Sequence, residues 1–236
     1  MSYSLLGLQQ SQEGNRRNRV LDMHPVLAQA VHPFAEEVSA VSLADAQAPH
    51  DLHFHRWGGQ EVVEHLILGF QASRQELERR LKSGESPTRS ASLLQWIIKT
   101  QTCLFGSMST GVPSPRSLRP AHFVPQDGQA LATRLVAEAE ELSKVLAQSR
   151  IAFGLRPCGY HPMYGPLRVE EWRAYHAVHC RHHLRQFRDA IELSRRRAAG
   201  GELPGYGVRR SAAGEPPREL SWAEEVVRDQ RPDKRR

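Results

Sequence analysis

Residues 169–195 read VEEWRAYHAVHCRHHLRQFRDAIELSR, and this stretch decides what kind of molecule the chain builds. Trp172, Phe187 and Ile191 recur with the spacing of one helix face. Glu170 and Glu171 open the run and Arg195–Arg197 close it, which puts acid at the positive end of the helix dipole and base at the negative end. At about 100° per residue, His176, His179 and His183 fall within about 60° of one another, inside the same broader arc as Trp172, Cys180 and Phe187. His182 flanks that arc. Three imidazoles therefore stand where the core of a helical protein should be.

That placement costs free energy unless something compensates. A buried neutral imidazole needs a partner for each ring nitrogen, and neighbouring imidazolium ions would repel. One divalent cation answers both demands, because neutral imidazole is a good ligand for zinc, nickel, copper or iron. His179 and His183, four residues apart, can reach one ion from one helix face. The alternative is a set of hydrogen-bonded core histidines. Two ligands from one helix rarely complete a site, so a third should come from another helix. His65 is the foremost candidate, standing beside Val62 and Gly69 where a ligated ring has room; its alternative is a surface histidine near a helix start. His53 and His55 are weaker loop candidates, His176 and His182 are less favoured ligands, and His161 precedes a turn and reads as structural.

Working outward, the rest of the chain is helical in pattern. A first helix is expected over Pro25–Val41, where Val26, Ala30, Phe34 and Val38 recur every four residues, with a kink or late start at Pro33. A second follows the Trp57-Gly58-Gly59 turn to about Lys82, ended by Ser83-Gly84. A short apolar segment spans Ser92–Phe105, and another long helix covers about Gln129–Gln148. Strand signal is almost absent. The expectation is an all-α bundle of four long helices with one additional short helix over residues 19–195. Residues 1–18 and a basic, Pro/Gly-rich tail over 196–236 are expected to be disordered.

Composition narrows the function classes. Of the 236 residues, 39% are hydrophobic and 25% charged, and mean hydropathy is −0.54, as in soluble globular proteins. No apolar run approaches the ~20 residues of a membrane span, so no membrane partner is expected. No secretory signal is legible and the three cysteines are widely spaced, which points to the cytoplasm. Residues 195–236 hold eleven Lys and Arg against seven Asp and Glu, four of the chain's net charge of +6. Nucleic acid is therefore a partner only through that tail, and a solvated extension is the simpler reading. The P-loop, dinucleotide-binding, GxSxG and HExxH patterns are all absent.

Two separated motifs carry a resemblance. Trp57…Glu64-His65-Leu66, followed by His179-x-x-His182-His183-x-x-Gln186, resembles the DinB-like (YfiT/DinB) superfamily of metal-binding four-helix bundles. His161-Pro-x-x-Gly165-Pro-Leu167, leading into Glu170-Glu171-Trp172, resembles an uncharacterised bacterial branch of it. The resemblance covers about residues 20–195. It implies a three-histidine site at His65, His179 and His183, with Gln186 behind the ligands, and it implies a homodimer. The chain departs from the family where Arg168 replaces the usual Thr or Ser helix cap and where Leu184-Arg185 replaces an Arg-Gly pair.

Three neutral imidazoles leave the full charge on an ion and at least one position open, the composition of a catalytic zinc site; nickel, iron or manganese are also compatible. Such a site can lower the pKa of water for hydrolysis or stabilise the thiolate of a low-molecular-weight thiol cosubstrate. The resemblance implies thiol S-transferases, isomerases and hydrolases alike, so the expected enzyme is a metal-dependent transferase or hydrolase acting on a small-molecule substrate. A non-catalytic binding bundle is the alternative. Glu61, one turn before His65, can reach the ligand's distal nitrogen or stand as a surface carboxylate. Cys180 reads as a packed thiol, and Tyr175 and Trp172 as core or pocket wall.

Overall fold

Pro25 has no backbone N–H to donate, and the first turn of a helix is where that loss carries no penalty. In a computed structural model of the protein, α1 (Pro25–Ser39) begins there, with the His24 ring accepting the Val26 amide. The structure describes residues 23–47, 57–108, 114–120 and 124–200. The expected N-terminal segment 1–18, the tail beyond residue 200, and His53 and His55 lie outside these residues. α1 runs as one helix through Pro33 rather than starting late, and it stops at Ser39 instead of Val41. Ser42 then accepts the Asp45 amide at 3.2 Å and caps a further helix that the apolar period did not reveal, α2 (Leu43–Ala46).

Trp57 and Gly58 lead into α3 (Gly59–Ser83), which ends at Gly84 with φ of 71°, a left-handed cap suited to glycine. Ser92 and Gln95 form a reciprocal capping box at the start of α4 (Leu93–Cys103). A 3₁₀ turn over Arg116–Leu118 follows, and Asp127 caps α5 (Gly128–Phe153), which runs past the expected end at Gln148. β1 (Gly159–His161) and β2 (Gly165–Leu167) form an antiparallel hairpin, with Gly159 opposite Leu167 and His161 opposite Gly165. Strands of three residues are too short to display an alternating pattern, which is why the sequence carried no sign of them. α6 (Val169–Ala198) completes the chain. Arg168, a poor cap by residue type, donates its backbone N–H to Glu171 at 2.8 Å, and its guanidinium pairs with the same carboxylate at 3.1 Å. Glu171 thus satisfies the backbone N–H of the cap residue, while the Arg168 side chain, which can only donate, offers no acceptor to the first turn.

α1 and α3 each pack against both α5 and α6, so the four long helices form a bundle around one core. Leu27, Phe34, Leu66, Phe70, Leu135, Leu142 and Phe187 lie within it, with Phe34 and Phe187 edge to face at 5.5 Å. The fold is all-α, the hairpin being the one sheet among the described residues. No described helix is long and apolar enough to cross a membrane.

Gly128 sits where two backbone segments pass close together. A Cβ on Gly128 would stand 2.0 Å from the Val38 carbonyl oxygen and 2.5 Å from that of Val41, backbone atoms that cannot swing aside. Gly128→Ala is expected to destabilise the fold by about 1–3 kcal/mol. Denaturant unfolding should show a lower midpoint with an unchanged slope.

Candidate metal centre

α3 and α6 are neighbours in the bundle, and their facing sides bring His65 against His179 and His183. His65 lies in the second turn of α3; the other two stand one turn apart midway along α6. All three are buried, with 5–6% of their surface exposed. The Nε2 atoms of His65 and His179 are 3.3 Å apart and those of His179 and His183 2.9 Å apart. All three donor atoms lie within 4.8 Å of one another. Nitrogens bound at about 2.0–2.1 Å in a tetrahedral shell stand about 3.3 Å apart, close to these spacings.

The outward ring nitrogens determine which way the lone pairs point. His65 Nδ1 is 2.8 Å from the Leu118 carbonyl oxygen, which can only accept, so Nδ1 carries the proton and Nε2 presents its lone pair inward. His183 Nδ1 is 2.7 Å from Gln186 Oε1, and the same reasoning applies. Gln186 is itself oriented by His182, whose Nε2 lies 3.1 Å from the amide nitrogen. Ser114 Oγ adds a 3.4 Å contact to His65 Nδ1. His179 is different: its Nδ1 is buried without a hydrogen-bond partner among the described residues.

Aromatic walls close the centre. The Trp57 ring lies 4.7 Å from His65 and 6.4 Å from His183, and Tyr175 stacks on His179 at 5.4 Å with the planes 17° apart. Gly69 lies against the His179 ring, where a Cβ would meet it at 3.6 Å, an ordinary contact. Burial pushes the pKa of all three histidines below the usual 6.5; for His179 and His183, mutual repulsion among the rings pushes it further. Neutral imidazoles with convergent lone pairs form a donor set that fits a divalent ion.

The other candidates are placed elsewhere. His176, fully buried, packs among Phe70, Trp172 and Tyr175, and both its ring nitrogens lack a partner among the described residues. His182 faces Gln186 rather than the centre. His161 accepts the Met163 amide at 3.1 Å in the hairpin turn, a structural position. Glu61 does not take the distal nitrogen of His65, which Leu118 occupies; its Oε2 accepts the Gly58 amide at 2.7 Å and closes the start of α3. Glu64 is held by two hydrogen bonds from Arg134, at 2.6 and 3.1 Å. Cys180 is a buried free thiol. Sequence reasoning missed Leu118, since a backbone carbonyl has no side-chain signature, and it used Trp57 as a motif residue without seeing it as a wall.

Gln186→Ala removes the acceptor that orients His183 and should weaken metal binding about 10–100-fold. Gln186→Glu, which keeps an acceptor, should recover most of the loss in a chelator-competition titration.

Residues 40–190 match the model of a family described as "Protein of unknown function (DUF1569)". The chain belongs to the DUF1569 family. The matched region contains all three convergent histidines, Leu118, Gln186 and the hairpin; α1 precedes it and the last two turns of α6 follow it. No curated protein and no solved structure matches the chain.

Proposed function

We propose that this DUF1569 protein is a DinB-like, metal-dependent enzyme acting on a small molecule, by thiol S-transfer or by hydrolysis. The observation that carries the reading is the inward aim of the Nε2 lone pairs of His65 and His183 beside His179, with no carboxylate or thiolate in the set. A divalent ion held by three neutral imidazoles, zinc first among the candidates, keeps its full charge and an open position and therefore supplies Lewis acidity.

The chain's own residues do the rest. The Leu118 carbonyl and the Gln186 amide oxygen hold His65 and His183 in the tautomer that binds. Trp57 and Tyr175 cover the rings and keep bulk water from them. Burial raises the thiol pKa of Cys103 to about 11 and those of Cys158 and Cys180 to about 12, so all three stay protonated at neutral pH. None of them belongs to the convergent histidine set, and S-transfer on this scaffold would take its thiol from a separate cosubstrate. Glu64 is engaged by Arg134 and is not available as a general base.

The test compares metal-loaded, chelator-stripped and His65→Ala protein. Free-thiol consumption is followed with low-molecular-weight thiols and an alkylating electrophile, and product release is followed with activated esters and amides. Turnover that vanishes on stripping, returns on reloading and is absent in His65→Ala supports the proposal. A metal-loaded protein inert in both assays counts against it.

A further inference from the structure

His65 and His183 each have an oxygen on the outward ring nitrogen, and His179 has none among the described residues. The Cε1–Nδ1 edge of its ring lies instead against Gly69 of α3. A ligating imidazole that can turn about its Cβ–Cγ bond carries its lone pair off the line to the ion, which is why such rings are usually held from behind by a hydrogen bond. Something else must hold this one. Three rings touch it: His65 and His183 meet it edge to face, at 86° and 71°, and Tyr175 alone lies parallel. Tyr175 stands one turn earlier on α6, with its ring centroid 5.4 Å from that of His179 and the planes 17° apart, an offset stack.

Tyr175 is boxed in by further rings. His176 lies 4.5 Å from it, His161 4.7 Å, Tyr164 5.0 Å and Trp172 6.1 Å. Two of these four, His161 and Tyr164, belong to the β1–β2 hairpin. Strands of three residues cannot hold a hairpin together unaided, and this one is tied to the helices on both sides. The Tyr160 amide donates to Glu76 on α3 at 3.0 Å. Gln95 donates to the Pro162 carbonyl at 2.8 Å and to the Tyr160 hydroxyl at 3.0 Å. Gln95 belongs to α4, which leaves Leu93, Leu94 and Trp96 exposed and turns this polar side inward. A continuous line of contact therefore runs from α3 and α4 through the hairpin to Tyr175, and from Tyr175 to His179.

We propose that Tyr175, braced by the hairpin, is a positioning residue of the metal centre: its stacked ring does for His179 what the Leu118 carbonyl and Gln186 do for His65 and His183. This rests on the reading that the three histidines hold a divalent ion. An imidazole that shares a cation's charge is drawn to the negative face of a phenol ring more strongly than a neutral imidazole is. The stack is therefore stronger in the loaded protein, and by reciprocity it tightens the hold on the ion. The ring provides this effect and the hydroxyl does not. Tyr175→Phe keeps the stacking face, whereas Tyr175→Leu fills the space with an apolar group that has none.

Chelator-stripped full-length protein, titrated with cobalt(II) and with zinc against a chromophoric chelator, tests this, with far-ultraviolet circular dichroism as the folding control. Wild type and Tyr175→Phe should share one zinc affinity and one set of visible cobalt bands. Tyr175→Leu should bind zinc about tenfold more weakly, with its cobalt bands shifted by the altered ligand field. Should Tyr175→Leu lose its helical signal, Tyr164→Leu removes a ring that braces Tyr175 and should weaken zinc about threefold. An unchanged affinity there overturns the proposal. A wild type that binds zinc while folded Tyr175→Leu matches it in affinity and spectrum overturns this inference and leaves the metal centre standing. Equal weakening in Tyr175→Phe does the same, because it assigns the effect to the hydroxyl. A wild type that takes up neither ion overturns the inference together with the reading beneath it.

Discussion

Replacing His179 by alanine is expected to abolish zinc binding while leaving the helical fold in place. Its Nε2 stands between those of His65 and His183, at 3.3 and 2.9 Å, so its loss leaves two nitrogens on different helices with nothing at the centre. Structural zinc sites with four ligands bind with about 10–16 kcal/mol, so one ligand carries on the order of 4 kcal/mol. The affinity should fall about a thousandfold. The metal-free fold loses the buried ring's stacking on Tyr175 and its two Nε2 contacts. Removal of an Nδ1 with no partner among the described residues offsets part of that loss, so the helices stay in place at a lower Tm. Two measurements read this out. Metal analysis should find close to one ion per wild-type chain and almost none in the variant. Zinc added to chelator-stripped wild type should raise Tm by mass action, and it should leave the variant unmoved. A wild type whose Tm ignores zinc, nickel and iron would mean that the three rings are hydrogen-bonded core histidines.

Acid should unfold the metal-free protein early, and His176 shows the cause most simply. Burial among Phe70, Trp172 and Tyr175 pushes its pKa from 6.5 to about 3, and burial does the same to His161. Between those limits the unfolded chain binds a proton at each position and the folded chain does not. The stabilisation is therefore complete above pH 6.5 and is lost as pH falls, by about 1.4 kcal/mol per unit for each histidine. Two histidines over two pH units remove about 5 kcal/mol, comparable with the whole stability of a small domain. The three convergent histidines shift in the same direction and steepen the loss. Denaturant midpoints in chelator should drop sharply from pH 6.5 to 4.5. His176→Phe, apolar among aromatic neighbours, should flatten the profile by about 1.4 kcal/mol per unit. A profile identical to wild type would show that His176 is already protonated or solvated in the folded state.

Both experiments start from features visible in the bare chain. The arc of histidines on the last helix follows from the 3.6-residue repeat, which is local, and so does the number and order of the long helices. His65 was legible more narrowly, as a histidine well inside the second helix, on the edge of its apolar stripe. The errors at element ends have local causes too: Ser42 and Asp45 start a helix by side-chain hydrogen bonding, and the hairpin strands are too short to alternate.

Tertiary structure decided what no repeat encodes. Leu118, far from His65 along the chain, supplies a carbonyl that selects the ring's tautomer, and a carbonyl is the same in every residue type. Glu61 caps its helix by accepting the Gly58 amide, while the Leu118 carbonyl takes the outward nitrogen of His65, and Glu64 meets Arg134 only because α3 and α5 pack together. α4 carries the same lesson: its sequence is amphipathic whichever way it faces, and only its position on the hairpin and α6 shows that the apolar side points out. Periodicity belongs to the chain and is set by backbone geometry. Proximity between distant groups belongs to the fold, because it exists only after the conformational entropy that separates them has been lost.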